Sequence, residues 1–498
     1  MESLVSAKND SWLSWFLRGL LFLGFLFLAG RLIELQIIKG NYFKALADEN
    51  RIKRIPIYAP RGRILARGGE VLVGNTNEKR DYLLGKYFAH AGGYVAEANS
   101  DEVGKTDPQC PEKGPRQAKS LVGRSGLEAY YDCKLRGFDG EELVEVDTQG
   151  NAVRTLGVKN PIPGEDVKTT INIELQGKVG EVFDKPGAVI VSDTKGEILA
   201  IYSSPSFDPT NVGKFLNDKN LPLFDRSITG VYHPGSIFKI VTATAVLEDK
   251  KITKGFTYDD PGIIKVNEFS YSNWYFSQYG RLEGTIDLTR AIARSTDTFF
   301  YRLGELEGPV ALASWADKFG LGKKTGIDLS GESLGLVATP EWKERVKGEA
   351  WFLGNTYHMA IGQGDLITTP IQMNSVTTVV ASGGKLCTPH LIEENPKCTN
   401  LNIKKSTIDL IREGMIGACS SGGTASVFFN FIPQVACKTG TAETIEADKT
   451  HAWFSAFMPA TDPQIVITVL VEKGGEGSVV AAPIAKEIFK YWLLMANP

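Results

Sequence analysis

The stretch Ala188-Val-Ile-Val-Ser-Asp-Thr-Lys-Gly-Glu-Ile-Leu-Ala-Ile-Tyr202 decides the fold of the larger part of this chain. Its two apolar runs are rich in β-branched residues and flank the polar residues Asp193 to Gly196, so we predict two strands joined by a tight turn. Three similar runs lie near the end of the chain, at residues 434–443, 451–459 and 464–473. An amphipathic pattern over residues 481–495 predicts a closing helix. Because the region between the two strand sets has a helical pattern, we predict an α/β (α+β) domain over residues 185–498, with an antiparallel sheet covered by helices.

Composition limits the class of protein. The chain has 498 residues, which is enough for two or three domains. Hydrophobic residues make up 43% and charged residues 23%, an ordinary globular usage that excludes wholesale disorder. The 58 acidic and 55 basic residues give a net charge of −3, which argues against nucleic acid as a partner because phosphate binding needs a basic face.

The N-terminal region is strongly apolar. Large apolar side chains fill residues 12–33, with Arg18 and Arg31 among them. The segment between the two arginines is too short to cross a bilayer, but the whole run is long enough if Arg18 extends its charge to the interface. We predict a single transmembrane anchor over residues 12–33. The alternative is a cleaved signal peptide, which the missing small residue at position −3 before Ala29 or Gly30 disfavours.

Residues 41–176 contain short extended runs broken by glycine and charge, which predicts a β-rich domain with an irregular segment over residues 91–119. The five histidines and six cysteines of the chain are scattered along it. None forms Cys-x-x-Cys or a histidine pair at the spacing of metal ligands. We therefore predict no metal site.

The first chemical motif is Pro234-Gly-Ser-Ile-Phe-Lys239, which opens an apolar run typical of a buried helix. Ser236 and Lys239 lie three residues apart, so they share one helix face. A lysine kept neutral by burial can take the proton of such a serine, and the free N–H groups at a helix start can hold an oxyanion. Ser-x-x-Lys alone is a weak signal. It recurs at Ser192–Lys195, across a predicted hairpin turn, and at Ser382–Lys385, in a glycine-containing loop, and we discard both.

Two further motifs contain residues that could take part in catalysis or in substrate binding. Ser295 and Asp297 lie at a break between two helical patterns, where small polar residues can also act simply as helix caps. Cys437-Lys-Thr-Gly-Thr-Ala442 lies on a predicted strand, and Lys438 could lower the pKa of Lys239 and bind a substrate carboxylate. A second Lys-Thr-Gly, at 324–326, lies in a polar loop without flanking strands.

Taken together and in this order, the three motifs resemble those of the penicillin-interacting serine enzymes. The N-terminal half resembles the non-catalytic pedestal of class B penicillin-binding proteins. The matching stretches are Arg31-Leu-Ile-Glu-Leu-Gln36, Ala47-Asp-Glu-Asn-Arg51, Ala59-Pro-Arg-Gly-Arg-Ile-Leu65, Gly123-Arg-Ser-Gly-Leu-Glu128, Leu135-Arg-Gly137 and Val146-Asp-Thr-Gln-Gly150. Ser295-Thr-Asp297, the stretch from Gly354 to Gly364 and Thr369-Pro370 most resemble the elongation type, the penicillin-binding protein 2 group.

The resemblance implies acyl transfer on peptidoglycan stem peptides, with β-lactams as acylating inhibitors and no cofactor. Ser236 would attack the carbonyl between the two terminal D-alanines, Lys239 would act as general base, and Ser295 would relay a proton to the departing D-alanine. Backbone N–H groups of Ser236 and Thr441 would form the oxyanion hole. Substrate binding would involve Asp297, which shapes the proton network, and the strand residues Lys438, Thr439, Gly440 and Thr441.

The resemblance also implies a domain order and a location. Residues 1–11 would be a cytoplasmic tail, 12–33 the anchor in the cytoplasmic membrane, 41–176 the elongated pedestal with a shortened head near 86–120, and 185–498 the extracytoplasmic transpeptidase domain. Nothing in the chain resembles a glycosyltransferase, so the resemblance implies a separate glycan polymerase of the SEDS family as partner, with other proteins of the elongation complex.

Several alternatives come from related classes. A septal class B transpeptidase shares the same motifs. A serine β-lactamase needs a residue that activates a deacylating water, and the Glu-x-x-Leu-Asn stretch of class A enzymes is missing here. A β-lactam receptor would not need a pedestal. Some elongation-type relatives hold zinc with Asp, His and Cys, but residues 248–284 contain no His or Cys, so we transfer no metal.

The six cysteines allow disulfides in an oxidising compartment. We expect a Cys110–Cys133 bond that closes the irregular head, where little core is available. Cys387 and Cys398 are a second candidate pair because both lie in a loop region. The alternative is that the thiols are buried and unpaired.

Overall fold

The computed structural model describes residues 12–76, 79–147, 149–444, 446 and 448–496, so the predicted cytoplasmic tail, residues 1–11, lies outside the described residues. The chain divides into two compact units. The first comprises Met1–Ala59 and Phe138–Ile162, and the second comprises Pro60–Gly137 and Pro163–Pro498.

The helices follow in chain order. They are α1 (Trp12–Ile33), α2 (Gly40–Arg51), α3 (Ala89–Gly92), α4 (Gly126–Tyr130), α5 (Asp132–Leu135), α6 (Ile173–Val182), α7 (Lys239–Glu248), α8 (Trp274–Tyr279), α9 (Leu288–Arg294), α10 (Asp297–Glu307), α11 (Pro309–Lys318), α12 (Pro340–Lys347), α13 (Leu353–Ala360), α14 (Pro370–Ala381), α15 (Lys405–Ala418) and α16 (Ala481–Ala496).

The strands are β1 (Ile52–Ile57), β2 (Ile64–Leu65), β3 (Val71–Thr76), β4 (Lys79–Tyr82), β5 (Val95–Glu97), β6 (Leu121–Gly123), β7 (Gly140–Val146), β8 (Ala152–Lys159), β9 (Val167–Lys168), β10 (Gly187–Ser192), β11 (Ile198–Ser204), β12 (Thr257–Asp259), β13 (Ile263–Val266), β14 (Phe269–Ser272), β15 (Thr285–Asp287), β16 (Leu336–Val337), β17 (Leu366–Ile367), β18 (Lys385–Cys387), β19 (Cys398–Asn400), β20 (Ala436–Glu443), β21 (Thr450–Met458) and β22 (Ile465–Val471).

The first unit contains an apolar helix and a small sheet. Helix α1 continues through a π-helical turn, Glu34–Ile38. Within these 27 residues, an 18-residue window has a mean hydropathy of 1.9, and none of that window is buried. Within the part of the chain that the structure describes, it is the one helix long and apolar enough to cross a membrane. The sheet of this unit has the order β1-β7-β8 and is antiparallel.

The second unit is built on a five-stranded sheet with the order β11-β10-β22-β21-β20, in which every pair is antiparallel. Helices cover both faces, so nearly all side chains of the inner strands are buried; all seven residues of β22 are. In β21, Trp453 and Phe457 join a core with the helices α7, α9, α10, α11, α14 and α15. Phe454 and Ala456 point to the opposite core, which contains α6 and α16. The predicted antiparallel sheet covered by helices is confirmed.

Strand β20 forms one edge of this sheet. The two-residue period of a strand places Lys438 on the same face as Ala436 and Ala442, which is the face that packs on the helical block. Cys437 points to the other face. An edge strand keeps one row of backbone groups free of strand partners, so β20 can border a binding cleft.

A buried network of ion pairs organises the N-terminal part of the second unit. Glu128 is completely buried and accepts hydrogen bonds from Nε of Arg61, at 2.8 Å, and Nε of Arg80, at 2.6 Å. Arg61 also pairs with Asp132 at 2.7 Å, and Asp132 with Arg116 at 3.0 Å. Arg61 lies in the Ala59–Leu65 stretch and Glu128 in the Gly123–Glu128 stretch, both of which resemble the pedestal of class B penicillin-binding proteins. Their buried ion pair therefore joins these two stretches in the folded chain.

Three disulfides are present among the described residues. Cys110–Cys133 and Cys387–Cys398 are the two pairs expected from the sequence, and both are confirmed. The third, Cys419–Cys437, joins the C-terminal end of α15 to β20 and was not predicted. The alternative of unpaired buried thiols is therefore wrong.

We expect Glu128→Gln to destabilise the second unit, because it leaves the buried guanidinium groups of Arg61 and Arg80 without their shared countercharge. Breaking a buried ion pair from one side costs about 3 kcal/mol or more. The measurement is the denaturant midpoint of unfolding. Glu112→Gln, at an exposed glutamate, is the control. Equal midpoints for the two variants would contradict this account of the network.

Candidate active site

A cleft of about 310 Å³ lies where β20 meets the starts of α7 and α10. Its lining includes Ser236, Ser295, Asp297, Thr439 and Thr441. These residues come from the three motifs that the sequence singled out. The tertiary structure therefore brings the three motifs to one place.

The Ser236 turn is packed tightly against β20. Gly235–Ile237 form a 3-10 turn, and α7 begins at Lys239. Gly235 has a φ of 53°, and a Cβ atom there would lie 3.1 Å from the carbonyl oxygen of Thr441. Glycine is required by both the left-handed backbone and this close approach. The backbone at Ser236 therefore lies close to that of Thr441, the two positions expected to supply the oxyanion hole.

The stretch from Gly354 to Gly364 supports this turn from the other side. The N–H group of Gly235 donates to the carbonyl oxygen of Gly362 at 2.9 Å. Gly362 has a φ of 81°, and any Cβ atom there would collide with the carbonyl group of Gly235. The stretch that carried part of the resemblance is thus a structural support of the nucleophile turn.

Lys239 is completely buried. Its Nζ donates to the carbonyl oxygen of Ser295 at 2.8 Å, to Ser295 Oγ at 3.2 Å and to Asp297 Oδ1 at 2.7 Å. Burial lowers the pKa of Lys239, and the carboxylate of Asp297 opposes part of that effect. Among the contacts of the described residues, no hydrogen bond joins Nζ to Ser236 Oγ. The lysine is one turn from the serine but is oriented toward the α9–α10 junction.

Ser295 lies between two lysines. It has a φ of 57° at the junction of α9 and α10, and its Oγ accepts a hydrogen bond from Lys438 Nζ at 2.8 Å in addition to that from Lys239. Lys438 also donates to the carbonyl oxygen of Thr439 at 3.0 Å. The hydroxyl group therefore points into the site. It does not act as the simple helix cap that the sequence left open.

The sequence-based hypothesis was that Lys438 lowers the pKa of Lys239, but in the structure the main effect of charge runs from Lys239 to Lys438. Burial lowers the pKa of Lys438 well below its ordinary value, and the charge of Lys239 lowers it further. The pKa of Lys239 is lowered chiefly by burial. Because both Nζ atoms contact one hydroxyl group, protonation of either lysine disfavours protonation of the other.

The remaining residues of β20 shape the cleft edge. Thr439 Oγ1 is within hydrogen-bond distance of Thr424 Oγ1, at 2.8 Å. Thr441 is exposed to the cleft. A Cβ atom on Gly440 would lie 3.0 Å from Cβ of Trp453, so the glycine lets the strand pack closely.

Sequence reasoning missed the remaining lining of the cleft. These residues are Trp274, Gln278, Tyr279, Gly423, Thr424, Glu476 and Ser478. They come from three segments far apart in the chain, and no spacing pattern links them. The backbone N–H group of Trp274 donates to Asp297 Oδ2 at 3.2 Å. Its contact with Asp297 makes Trp274 part of the site.

The discarded motifs lie outside the cleft. Ser192 is buried and donates to Asn374 Oδ1 at 2.8 Å, while Lys195 is exposed. Ser382 directly follows α14, Lys385 is the first residue of β18, and Lys324 lies in a loop.

Comparison with known proteins identifies the family. The family model described as the penicillin binding protein transpeptidase domain matches residues 187–490, and that of the penicillin-binding protein dimerisation domain matches residues 75–169. The chain belongs to the penicillin-binding protein transpeptidase family. It is 33% identical over 462 residues to the peptidoglycan D,D-transpeptidase MrdA of Salmonella typhimurium, a match that covers 84% of this chain and 73% of that protein.

Solved structures agree with this assignment. The PBP2 of Pseudomonas aeruginosa in complex with WCK 5153 has a TM-score of 0.77 at 30% identity, covering 89% of this chain and 97% of that one. The PBP2 of Helicobacter pylori in complex with MreC has a TM-score of 0.78 at 26% identity, covering 89% and 99%. A chain of a peptidoglycan synthase complex has a TM-score of 0.77 at 27% identity, covering 97% and 98%.

These matches confirm three predictions from the sequence. They confirm the family, the fold class and the enzyme class, a serine-type D,D-transpeptidase of the elongation type. The septal alternative is set aside accordingly.

We expect Asp297→Asn to move the pH profile of acylation by penicillin. Lys239 must be neutral to accept a proton, so the acylation rate rises as pH passes the pKa of this lysine. The Asp297 carboxylate raises that pKa, and its loss lowers it, so the rising limb should move to lower pH. The measurement is the acylation rate of the full-length protein across pH. Asp184→Asn, at an exposed aspartate, is the control, and an unmoved limb in Asp297→Asn would contradict the assigned pairing.

Proposed function

We propose that this protein is a membrane-anchored peptidoglycan D,D-transpeptidase that cross-links stem peptides during cell-wall elongation and is acylated by β-lactams. The observation that carries the proposal is the Ser295 hydroxyl group between two fully buried lysines, beside a serine at a helix start. This arrangement supplies a nucleophile, a neutral base and a route for protons without bulk water.

In the first step, Ser236 Oγ attacks the carbonyl carbon between the two terminal D-alanines of a donor stem, and its proton passes to the neutral amine of Lys239. Burial lowers the pKa of Lys239, which favours the neutral amine. For this transfer the lysine Nζ must turn from Ser295 toward Ser236, and both serines line the same cleft. The N–H groups of Ser236 and Thr441 stabilise the oxyanion that forms.

In the second step, the carbon–nitrogen bond to the terminal D-alanine breaks and its amine takes a proton. Ser295 is placed for this relay, since its Oγ contacts both lysines and can pass a proton from one to the departing amine. The product is an ester between the donor stem and Ser236. An amine of a neighbouring stem then attacks this ester, returns a proton to Ser236 and forms the cross-link.

The terminal carboxylate of the donor binds at β20. Lys438 supplies positive charge when protonated, and the hydroxyl groups of Thr439 and Thr441 face the cleft as donors. Gly440 lets the substrate and the Ser236 turn approach the strand.

The location and the partners complete the proposal. The chain would cross the cytoplasmic membrane once through α1, with residues 1–11 in the cytoplasm and the catalytic domain outside. Glycan strands would come from a separate polymerase of the SEDS family. The structures of a related PBP2 with MreC and of a related chain in a peptidoglycan synthase complex support elongation-complex partners.

We expect labelled penicillin to attach to Ser236 of the full-length protein and Ser236→Ala to lose the label, because the proposed ester forms on the Ser236 hydroxyl group. A hydroxyl group at a helix start contributes only about 1 kcal/mol, so the variant should stay folded. Mass spectrometry of the labelled peptide is the measurement. Ser382→Ala, in the discarded Ser-x-x-Lys motif, is the matched control and should keep full label. Retention of label by Ser236→Ala would overturn the proposed nucleophile.

Depletion of the protein from a rod-shaped host should give rounded cells, because lateral wall synthesis would lack its cross-linking step. Light microscopy during depletion is the measurement, and re-expression of the wild-type chain but not of Ser236→Ala should restore rods. Long filaments with blocked septa would instead indicate a role in division.

A further inference from the structure

A buried carboxylate outside the three motifs connects several segments around the site. Asp260 is only 2% exposed and follows the short strand β12. Its Oδ1 accepts hydrogen bonds from the N–H of Gly262, at 2.9 Å, and from Thr298 Oγ1, at 2.6 Å. Its Oδ2 accepts from Asn273 Nδ2, at 3.2 Å, and from the N–H of Glu283, at 2.9 Å. The carboxylate of Asp260 thus accepts hydrogen bonds from four residues, Gly262, Asn273, Glu283 and Thr298.

Two of these four donors lie directly beside Asp297. Thr298 is the next residue in α10. The side chain of Asn273, which is completely buried, accepts a hydrogen bond from the backbone N–H of Asp297 at 3.2 Å. The next residue, Trp274, donates its backbone N–H to Asp297 Oδ2 at 3.2 Å. Asp297 is therefore fixed at its backbone and at one carboxylate oxygen, and its other oxygen contacts Lys239.

We propose that Asp260 and Asn273 are positioning residues of the transpeptidase, which hold the Asp297 carboxylate against Lys239. The inference rests on the function proposed above and extends it to residues that line neither the cleft nor its mouth. Asp260 acts through Asn273 and Thr298, and Asn273 acts through the backbone of Asp297 and Trp274.

The energetics favour a positioning role over a purely stabilising one. A buried carboxylate pays a large desolvation cost unless its oxygens are fully hydrogen-bonded. Here all four acceptor positions are used, and none of the donors carries a charge, so an apolar core would achieve stability more simply. What the carboxylate adds is orientation, because two of its four hydrogen bonds come from Asn273 and Thr298, the residues that lie beside Asp297.

The position of the Asp297 carboxylate relative to Lys239 Nζ depends on these hydrogen bonds. The groups that face its Nζ are Asp297 and Ser295 from the α9–α10 region, Lys438 from β20 and the ring of Phe300 at 5.2 Å. Among the described residues, Asp297 is the one acidic side chain that contacts it. In a site with little water the attraction between two charges is strong, so an increase in their separation weakens a large interaction.

The test compares acylation of full-length Asn273→Ala with that of the wild-type protein across pH, using labelled penicillin. We expect the maximal rate to fall about tenfold and the rising limb to move to lower pH, in the same direction as in Asp297→Asn. A loss of packing alone would lower the rate or the yield of folded protein without moving the limb. Asn217→Ala, at an exposed asparagine, is the control and should change neither quantity.

Thr298→Val gives a second and milder probe, because it removes only the hydroxyl group that binds Asp260. If Asn273→Ala does not fold, as judged by circular dichroism, Thr298→Val decides. In the variant that decides, a limb moved to lower pH supports the proposal and an unmoved limb overturns it. Failure of the wild-type protein to react with penicillin would instead reject the proposed function on which the inference rests.

Discussion

The contact on which the rest of the site depends is the one that Ser295 Oγ makes with two lysines, Lys239 at 3.2 Å and Lys438 at 2.8 Å. Both lysines are completely buried, so the free energy of charging each one rises, and charging both in one place costs more still. Burial therefore favours the neutral form of both amines, and the charge of Lys239 further disfavours a charge on Lys438. The remainder of the domain keeps the two amines in place despite that cost.

Three structural devices serve this purpose. Helix α7 is buried over most of its length, which fixes Lys239 within the core. Strand β20 is held by β21 on one side and, through the disulfide Cys419–Cys437, by α15 next to Lys438. The negative charge of Asp297 offsets part of the desolvation cost of the buried Lys239. Asn273 accepts a hydrogen bond from the backbone N–H of Asp297, and the N–H of Trp274 donates to its carboxylate. Each device acts on one member of the catalytic set.

Close backbone approach is the second requirement. Gly235, Gly362 and Gly440 lie where the Ser236 turn, the Gly354–Gly364 stretch and β20 meet, and a side chain at Gly362 would collide with the turn. Motifs that look independent in the chain are therefore parts of one packed junction. A mutation at that junction would act on the nucleophile without touching the substrate.

The sequence by itself determined the elements and the motifs. The strands β10, β11, β20, β21 and β22, the helix α16 and the break at Ser295 follow from local periodicity and turn residues. Two of the disulfides were predicted, Cys110–Cys133 from the small core of the head and Cys387–Cys398 from the placement of both cysteines in a predicted loop region. The three motifs identified the family because each combines residue types that the chemistry requires at a fixed local spacing.

Only the tertiary structure decided which residues meet. The order β11-β10-β22-β21-β20 places the Lys438 strand at an edge, and no local pattern encodes the order of strands in an antiparallel sheet. The pairing of Cys419 with Cys437, the orientation of Lys239 toward Ser295, and the bonds of Asp260 are likewise contacts between segments far apart in the chain. Periodicity predicts which face of its own helix or strand a residue occupies. Contacts between residues far apart in the chain depend instead on how separate helices and strands pack, and the whole core decides that packing.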